Sequence, residues 1–458
     1  MSYKIEQLKQ ILKTDQMSIE PNALKTYGND WLELYKPSPS MVLFPESRQN
    51  VEDIIKWATE CNLSLVPSGG RTGLSGAAAA QDKEVVVAFE RMNQILEFNE
   101  IEQSLTVQPG VITKNIQGWA EEKSLYFPLS FASEGSSQIG GNVSTNAGGV
   151  HVIRYGSLRK WVLGLEVVTG TGNTLSLGRG LIKNTAGYDL MNLFIGSEGT
   201  LGLITEITLQ LTKKPELPCV FLFSVPDLSA LMNLYHLFKS KLPLRAFEMF
   251  TSLAVEHVQK NSTVSFPLKE KSSYYVLTET DQSTQEEALS LFESALEKGY
   301  VLDGVISESS RQAMELWSFR ENISEALSPH FPYKNDVSVR ISLLPDFLSE
   351  MNQILNREYP HFEVVWFGHV GDGNLHINIL KPEKMEKEFF LKKCEKVNDI
   401  LFSVIKKYKG SISAEHGVGL LKKPYLHYSC SKEELIYMKA IKKIFDPKGI
   451  LNPGKIFN

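Results

Sequence analysis

The sequence predicts an α+β protein of two or three domains. Three observations predict it. Up to about Leu211, short apolar strands alternate with glycine-rich turns; the run Lys213-Lys214-Pro215-Glu216-Leu217-Pro218 then reads as a linker; beyond it, strands alternate with long amphipathic helices. At 458 residues the chain exceeds what one ordinary core fills. The expected division is a helical segment over 1–37, a first domain over 38–216, a second over 217–408 and a closing segment over 409–458.

Each element has its own warrant. Val51 to Cys61 is a helix, because Ile54, Ile55 and Ala58 fall on one face. Leu65-Val66 runs as a strand into a glycine-rich turn, Val85 to Phe89 and Leu105 to Val107 read as buried strands, and Ile207 to Leu211 alternates at period two. Past the linker come a strand over Val220 to Val225, a helix over Leu228 to Lys239, a strand over Tyr274 to Leu277 and a helix over Glu286 to Lys298. A long helix runs from Lys384 to about Lys407, and Phe445-Asp446-Pro447-Lys448-Gly449 stops a last helix with turn chemistry.

Composition narrows the function. The apolar share is 42%, the charged share 22% and the net charge −5, with Lys and Arg scattered, so a nucleic-acid partner is not expected. The first twenty residues carry charges throughout and do not read as a signal peptide. No stretch approaches the roughly 20 apolar residues of a bilayer span. Cys61, Cys219, Cys394 and Cys430 form no CxxC pair, which leaves little room for an iron–sulfur cluster and fits a reducing cytoplasm.

Glycine concentrates between Gly69 and Gly202 in three blocks. Pro67-Ser68-Gly69-Gly70-Arg71-Thr72-Gly73-Leu74-Ser75-Gly76 follows an apolar strand, and its successive N–H groups suit a pyrophosphate. It is neither a Walker loop nor GxGxxG. The second block runs from Gly135-Ser136-Ser137-Gln138-Ile139-Gly140-Gly141-Asn142 through Val143-Ser144-Thr145-Asn146-Ala147-Gly148-Gly149. The third holds Asn184-Thr185-Ala186-Gly187-Tyr188-Asp189-Leu190 and Ile195-Gly196-Ser197-Glu198-Gly199-Thr200-Leu201-Gly202. The blander reading is a set of tight corners in a compact β-rich domain.

In order and content, these blocks resemble the FAD domain of the vanillyl-alcohol oxidase and p-cresol methylhydroxylase superfamily, over roughly residues 38 to 212. The resemblance implies a two-subdomain FAD-binding fold of the p-cresol methylhydroxylase type, joined to an α+β cap domain for substrate. It implies that Pro67, Ser68, Gly69, Gly70, Arg71 and Thr72 take the pyrophosphate, with Gly73 and Ser75 continuing the loop. Gly135, Ser136, Ile139, Gly140, Gly141, Asn142, Ser144, Asn146, Ala147 and Gly148 would line the flavin and ribityl side, and Gly199 and Ile204 the adenine end. No His stands in the first loop, so FAD is expected to be non-covalent. Arg71 replaces the family's common third glycine.

Phe367-Gly368-His369-Val370-Gly371-Asp372-Gly373-Asn374-Leu375-His376-Ile377-Asn378 carries the second signal. Asp-Gly is a favoured two-residue hairpin turn. If Asp372-Gly373 is that turn, His369 and His376 are directly opposed, with Cβ atoms about 4.5–5.5 Å apart, and can converge on one divalent ion. Such a pair can equally be structural. Ser413-Ala414-Glu415-His416-Gly417-Val418-Gly419 offers a carboxylate to complete a two-His-one-carboxylate site, and a histidine free to act as a base. Both stretches resemble the branch of the superfamily that holds D-2-hydroxyglutarate dehydrogenases, flavin-dependent D-lactate dehydrogenases and the catalytic subunit of glycolate oxidase. That resemblance implies His369, His376 and Glu415 as ligands of Zn²⁺ or a similar ion, and His416 as the catalytic base. The matching tail, Asp446 to Lys455, implies a C-terminus folded back to the flavin, with Asn452 near it.

Trp317-Ser318-Phe319-Arg320-Glu321-Asn322-Ile323-Ser324 looks like the branch's Trp-x-x-Arg helix. Arg320 and Ser324, four apart, are expected on one helix face. The resemblance implies that Arg320, Ser324 (a Thr in the relatives) and Lys334 hold substrate carboxylate; a solvated Arg is the alternative. Asn378, on the same strand face as His376, is a further candidate for substrate. Arg340, on an expected strand from Asp336 to Ile341, stands where relatives usually have Pro. It is either an added cation for a doubly charged acid or a residue facing solvent.

The implied activity is FAD-dependent oxidation of a D-2-hydroxy acid, with D-2-hydroxyglutarate favoured by the Arg320, Ser324 and Lys334 set. D-lactate or glycolate dehydrogenase is the alternative within the class, and a non-catalytic flavin-binding subunit the alternative outside it. A metallohydrolase would leave the glycine blocks unexplained. Reduced flavin needs an external acceptor: a quinone, a cytochrome or an electron-transfer flavoprotein. A homodimer and a peripheral membrane association through that acceptor are both compatible with the chain.

Overall fold

The structure, a computed structural model, describes residues 2–32, 34–260, 262 and 264–457. It divides into two units: residues 1–149, 156–214 and 415–458 form one, and residues 150–155 and 215–414 the other.

The first unit holds two larger sheets and a two-stranded pairing of Leu125–Tyr126 with Thr212–Lys213. A four-stranded sheet takes Met17–Ser18, Met41–Leu43, Val85–Ala88 and Leu65–Ser68 in that spatial order, the last three mutually parallel. A five-stranded antiparallel sheet takes Ile95–Asn99, Ser104–Val107, Gly202–Gln210, Val162–Thr169 and Thr174–Leu177. The helix Arg48–Cys61 joins their cores. Its Ser47 cap accepts from the Asn50 amide, Asn62 closes it in the left-handed conformation, and its buried stripe is Val51, Ile54, Ile55, Trp57 and Ala58. That stripe packs against Leu43, Val85 and Val87 of one sheet and Val168 and Leu203 of the other. Val51, Ile54 and Ile55, so buried, each contribute about 1.5–3 kcal/mol of hydrophobic stabilisation.

The last residues complete this unit. The helix Lys432–Phe445 ends at Asp446, whose buried carboxylate accepts from the Ile450 and Leu451 amides at 3.1 and 2.8 Å. Leu451 then pairs in parallel with Leu65: the Leu65 amide donates to Ile450 at 2.7 Å and the Asn452 amide donates to Leu65 at 2.7 Å. The expected return of the C-terminus to the glycine-rich unit is thus a short run of strand-like pairing.

The second unit is built on a seven-stranded antiparallel sheet. Its spatial order is Asp303–Ile306, Pro218–Val225, Tyr274–Asp281, Ala246–Thr251, Val364–Gly368, Asn374–Ile379 and Tyr333–Ser338. The helices Ser252–Gln259 and Ser310–Glu321 share a core with Val220, Ala246, Phe250, Leu277, Val365 and Phe367 on one face. The observed helices Leu228–Lys239, Gln285–Glu297 and Lys387–Lys407 match the expected ones to within a few residues.

Two expectations are corrected, and one helix was not foreseen. The second glycine block contains a helix, Ile139–Thr145, because Ile139 and Val143 have a core to fill. The strand expected over Asp336 to Ile341 is instead Tyr333–Ser338; Arg340 lies beyond it, exposed, at the start of the turn Ile341–Leu343. The helix expected to carry Arg320 and Ser324 on one face ends at Glu321, and another begins at Ile323. No helix among the described residues is long and apolar enough to cross a membrane.

Candidate active site

In the first unit the three glycine blocks meet. Gly70 lies so close to the second block that a Cβ there would sit 2.2 Å from the Ser136 carbonyl oxygen. Gly199, at φ +70°, lies against the ring of Pro67, and the Glu198 amide donates to Ser144 at 2.7 Å. Asn452 joins them, its amide nitrogen donating to the carbonyls of Ala77 (3.0 Å) and Glu198 (2.7 Å). Arg71 occupies the left-handed region at φ +58°, a conformation costing a non-glycine residue about 1–2 kcal/mol. Its guanidinium turns back to the Gly69 carbonyl at 3.1 Å and over the Tyr27 ring.

Several expected cofactor residues are engaged within the protein. Asn142 is buried, and its amide donates to Thr113 and Ser137. Asn146 accepts from the Arg159 amide at 3.0 Å, and the Ser144 hydroxyl donates to Gly140 at 2.8 Å. Ile139 and Ile204 belong to the core. Gly140 packs on Pro109, and the Ser75 carbonyl accepts from the Leu420 and Leu421 amides.

In the second unit the strand Asn374–Ile379 is buried on both faces. Leu375, Ile377 and Ile379 face a core, whereas Asn374, His376 and Asn378 form a buried polar row that needs partners. The hairpin register differs from the expected one. His376 pairs with Phe367 and Asn378 with Val365. His369 stands just past the end of Val364–Gly368 and opens a five-residue turn, its carbonyl accepting from the amides of Asp372, Gly373 and Asn374. The shift goes with a contact to another segment. Gly373 sits at φ +86° beneath the Val339 carbonyl, only 2.2 Å from where a Cβ would be, and the turn widens to dock there. A shift by an even number of residues keeps side chains on the same face. The two imidazoles therefore still meet, with ring centroids 5.4 Å apart and planes at 83°.

Each histidine has a buried carboxylate on its Nδ1 side. Glu248, 1% exposed, accepts from His369 Nδ1 at 2.8–2.9 Å and from Arg320 Nε at 2.8 Å. Asp336, fully buried, lies 3.6 Å from His376 Nδ1, an ion-pair distance, and accepts hydrogen bonds from Asn374 Nδ2 (2.7 Å) and the Ala414 amide (3.0 Å). A carboxylate on Nδ1 fixes the tautomer that directs Nε2 outward as a ligand. Glu415 and His416 are the next two residues of the chain; both are half-buried, with Glu415 Oε1 3.9 Å from His416 Nε2.

Arg320 is not solvated. It is buried, and its guanidinium lies over the Phe367 ring at 4.6 Å. Three residues earlier Trp317 donates from Nε1 to the buried Glu279 at 2.7 Å. The Trp-x-x-Arg helix thus docks on the sheet through two carboxylates. Ser324, after the helix break, is exposed. Lys334 pairs across the sheet with Asn378; it has no hydrogen-bond or ion-pair partner among the described residues, and burial pushes its ammonium pKa below the usual lysine value. Asn378 Nδ2 is buried without a partner among them.

The chain matches the FAD binding domain family over residues 39–178 and the family of FAD linked oxidases, C-terminal domain, over residues 214–456. The chain belongs to the FAD-linked oxidase family. It is an FAD-dependent oxidoreductase. A relative from Stutzerimonas stutzeri (strain A1501) named D-2-hydroxyglutarate dehydrogenase is 50% identical over 99% of this chain and 98% of its own. A mitochondrial protein of that name from Danio rerio is 38% identical over 95% of this chain and 82% of its own. Among solved structures, p-cresol methylhydroxylase with substrate bound shares the fold at a TM-score of 0.77 and 15% identity, covering 99% of this chain and 96% of that one. So does 4-ethylphenol oxidase from Gulosibacter chungangensis, at 0.76 and 16%, covering 100% and 97%.

The residues fit the family's cofactor. Ser68 Oγ, Gln138 Oε1 and Asn452 Oδ1 are buried without partners among the described residues, and each belongs to the meeting point of the glycine blocks or adjoins it. Gly73, Gly135 and Gly141 have nothing within 4 Å of where a Cβ would stand. Unpaired polar atoms beside open glycines suit a polar, extended ligand. The chemistry of the two oriented imidazoles likewise fits a divalent ion. Sequence reasoning missed Glu248, Asp336 and Glu198. The signal available for Glu248 was a lone charge inside the apolar run Ala246-Phe247-Glu248-Met249-Phe250.

Proposed function

We propose that this member of the family oxidises a D-2-hydroxy acid, D-2-hydroxyglutarate above all, to the 2-oxo acid. The observation that carries the reading is the pair of imidazoles, each with Nδ1 turned to a buried carboxylate, beside the unpartnered Lys334. The relatives' name supports the substrate. His369, His376 and Glu415 would hold a divalent ion, Zn²⁺ by donor type, whose chemistry when bound is Lewis acidity toward the substrate hydroxyl. Bound FAD would supply the two-electron acceptor for the C2 hydride. Pro67 to Ser75, the second glycine block, Gly199, Ile204 and Asn452 would hold it.

The protein's own groups do the rest. His416 takes the hydroxyl proton as general base. Lys334 meets a substrate carboxylate, which replaces the water its ammonium lost on burial. Arg320 spends Nε on Glu248 and offers the rest of its fork to the substrate's other carboxylate. Asn378 adds hydrogen bonds that fix which face of the carbon is presented. A dicarboxylate uses both cations; D-lactate and glycolate, with one carboxylate, use one. Electrons leave to an external quinone, cytochrome or electron-transfer flavoprotein. The chain would work in the cytoplasm or at a membrane surface through that acceptor.

The test is anaerobic flavin bleaching with a panel of D- and L-2-hydroxy acids, alongside metal analysis of the purified protein and of His369→Ala. Fast bleaching by D-2-hydroxyglutarate, with metal content falling in the variant, is expected. Bleaching by L-acids alone would end the proposal, and full activity in a metal-stripped His369→Ala protein would remove the ion from it.

A further inference from the structure

Glu198 stands in none of the roles above, yet three segments of the first unit are tied to it. It lies in the turn Ile195-Gly196-Ser197-Glu198-Gly199, at φ +51°, where a side chain with a Cβ is strained. Its side chain is buried. One carboxylate oxygen accepts from the Val418 amide at 2.6 Å and the other from the Gly419 amide at 2.8 Å. Its own amide donates to Ser144 on the helix Ile139–Thr145, and its carbonyl accepts from Asn452.

The loop on the other side is shaped to receive that carboxylate. Gly417 and Gly419 both sit at positive φ, +79° and +51°, so the chain curls with successive N–H groups pointing inward. A Cβ on Gly417 would stand 2.8 Å from Glu198 Oε1, and one on Gly419 would stand 2.2 Å from the Ser75 carbonyl oxygen. The loop is thus closed down onto the carboxylate and onto the first glycine block together. Desolvation pushes the Glu198 carboxyl pKa upward, and the two amides with the nearby Lys422 and Lys455 ammoniums oppose it. Charge-assisted bonds from amide to carboxylate are roughly twice as strong as neutral ones.

His416 is two residues before Val418. We infer that Glu198 is a positioning residue for His416: its carboxylate pins the 417–419 loop to the helix and loop expected to line the flavin, and so sets where the base stands. The inference rests on the proposed role of His416. Its geometry lies wholly within one unit and does not depend on the substrate.

The test uses the FAD-bound full chain and the variants Glu198→Gln, Glu198→Ala and Glu198→Asp. Glu198→Gln keeps the volume but leaves one amide facing an NH₂ group; Glu198→Asp is too short to reach both. Hydrogen exchange over the peptide 413–421 should quicken in all three, most in Ala. For the hydride step, kcat with the best acid of the panel should fall roughly 10- to 100-fold in Ala, as expected for an ångström-scale displacement of a catalytic group. KM and FAD stoichiometry should hold, the isotope effect with C2-deuterated substrate should rise, and Gln should recover part of kcat. Wild-type exchange and wild-type kcat in FAD-loaded Glu198→Gln overturn the inference, as does a loss confined to KM. If Ala does not fold, Gln and Asp decide. If no acid on the panel bleaches the wild type, the proposed function fails separately, and the exchange arm still judges the pinning of the loop.

Discussion

Replacing Glu248 by Gln removes one negative charge from between two buried donors and leaves the volume unchanged. Glu248 accepts from Arg320 Nε and His369 Nδ1, all three residues being 1–6% exposed. The guanidinium cannot neutralise itself, so the variant buries an uncompensated cation, and breaking a buried pair in this way costs about 3–5 kcal/mol. No cavity opens, so the low end of that range is expected. The second consequence concerns the ion. A glutamine presents either its oxygen or its NH₂ to Nδ1, and loss of an orienting carboxylate lowers metal affinity about 10- to 100-fold. Urea unfolding followed by circular dichroism measures the first effect; titration with Zn²⁺ against a competing chelator measures the second. The double variant Glu248→Gln/Arg320→Met should recover about 1–3 kcal/mol, because the stranded charge has gone with its partner. A single variant as stable as wild type, with unchanged Zn²⁺ affinity, would refute the reasoning for both consequences.

Lys334→Met should raise KM for D-2-hydroxyglutarate by roughly 10-fold or more, since a hydrogen bond to a charged group is worth about 1.5–3 kcal/mol, and should lower its preference over D-lactate; steady-state kinetics on both acids decide. Gly373→Ala forces a Cβ against the Val339 carbonyl at positive φ and should destabilise by more than about 1 kcal/mol, with a matching loss of bound metal, read by thermal unfolding and metal analysis. Lys455 is buried, and desolvation pushes its pKa down to about 8 from 10.5. Below pH 8 the ammonium is kept in both folded and unfolded chains and its burial cost, roughly 3 kcal/mol at most, is fully present. Between those two pKa values only the unfolded chain keeps the proton, so stability rises with pH. Lys455→Met should therefore be more stable than wild type at pH 7 in the flavin-free chain, and the gap should close by about pH 10.5; a gap independent of pH would contradict the assignment.

The glycine blocks were legible because their demands are local. A run such as Ser68-Gly69-Gly70 or Gly199-Thr200-Leu201-Gly202 announces close backbone approach whatever surrounds it. The helices were legible from their apolar period, and Leu228–Lys239 falls where the pattern places it. The hairpin was legible in kind but not in register. Asp372-Gly373 favours a two-residue turn by itself, yet Gly373 docks under Val339, a contact the local sequence does not encode. The Arg320 helix failed for a similar reason: the four-residue spacing assumes a continuous helix, and the break at Asn322 separates a buried Arg320 from an exposed Ser324.

The order of residues alone determined that three glycine blocks, a histidine hairpin and a Glu-His pair exist, because backbone freedom and side-chain type are properties of each residue. Only the tertiary structure decided what holds them. Glu248, Asp336 and Glu198 are carboxylates whose partners lie 121, 40 and 220 residues away in the chain. A carboxylate's value to a site depends on which donors share its burial. That is fixed by packing across sheets and turns, a long-range arrangement that no local pattern of residues records.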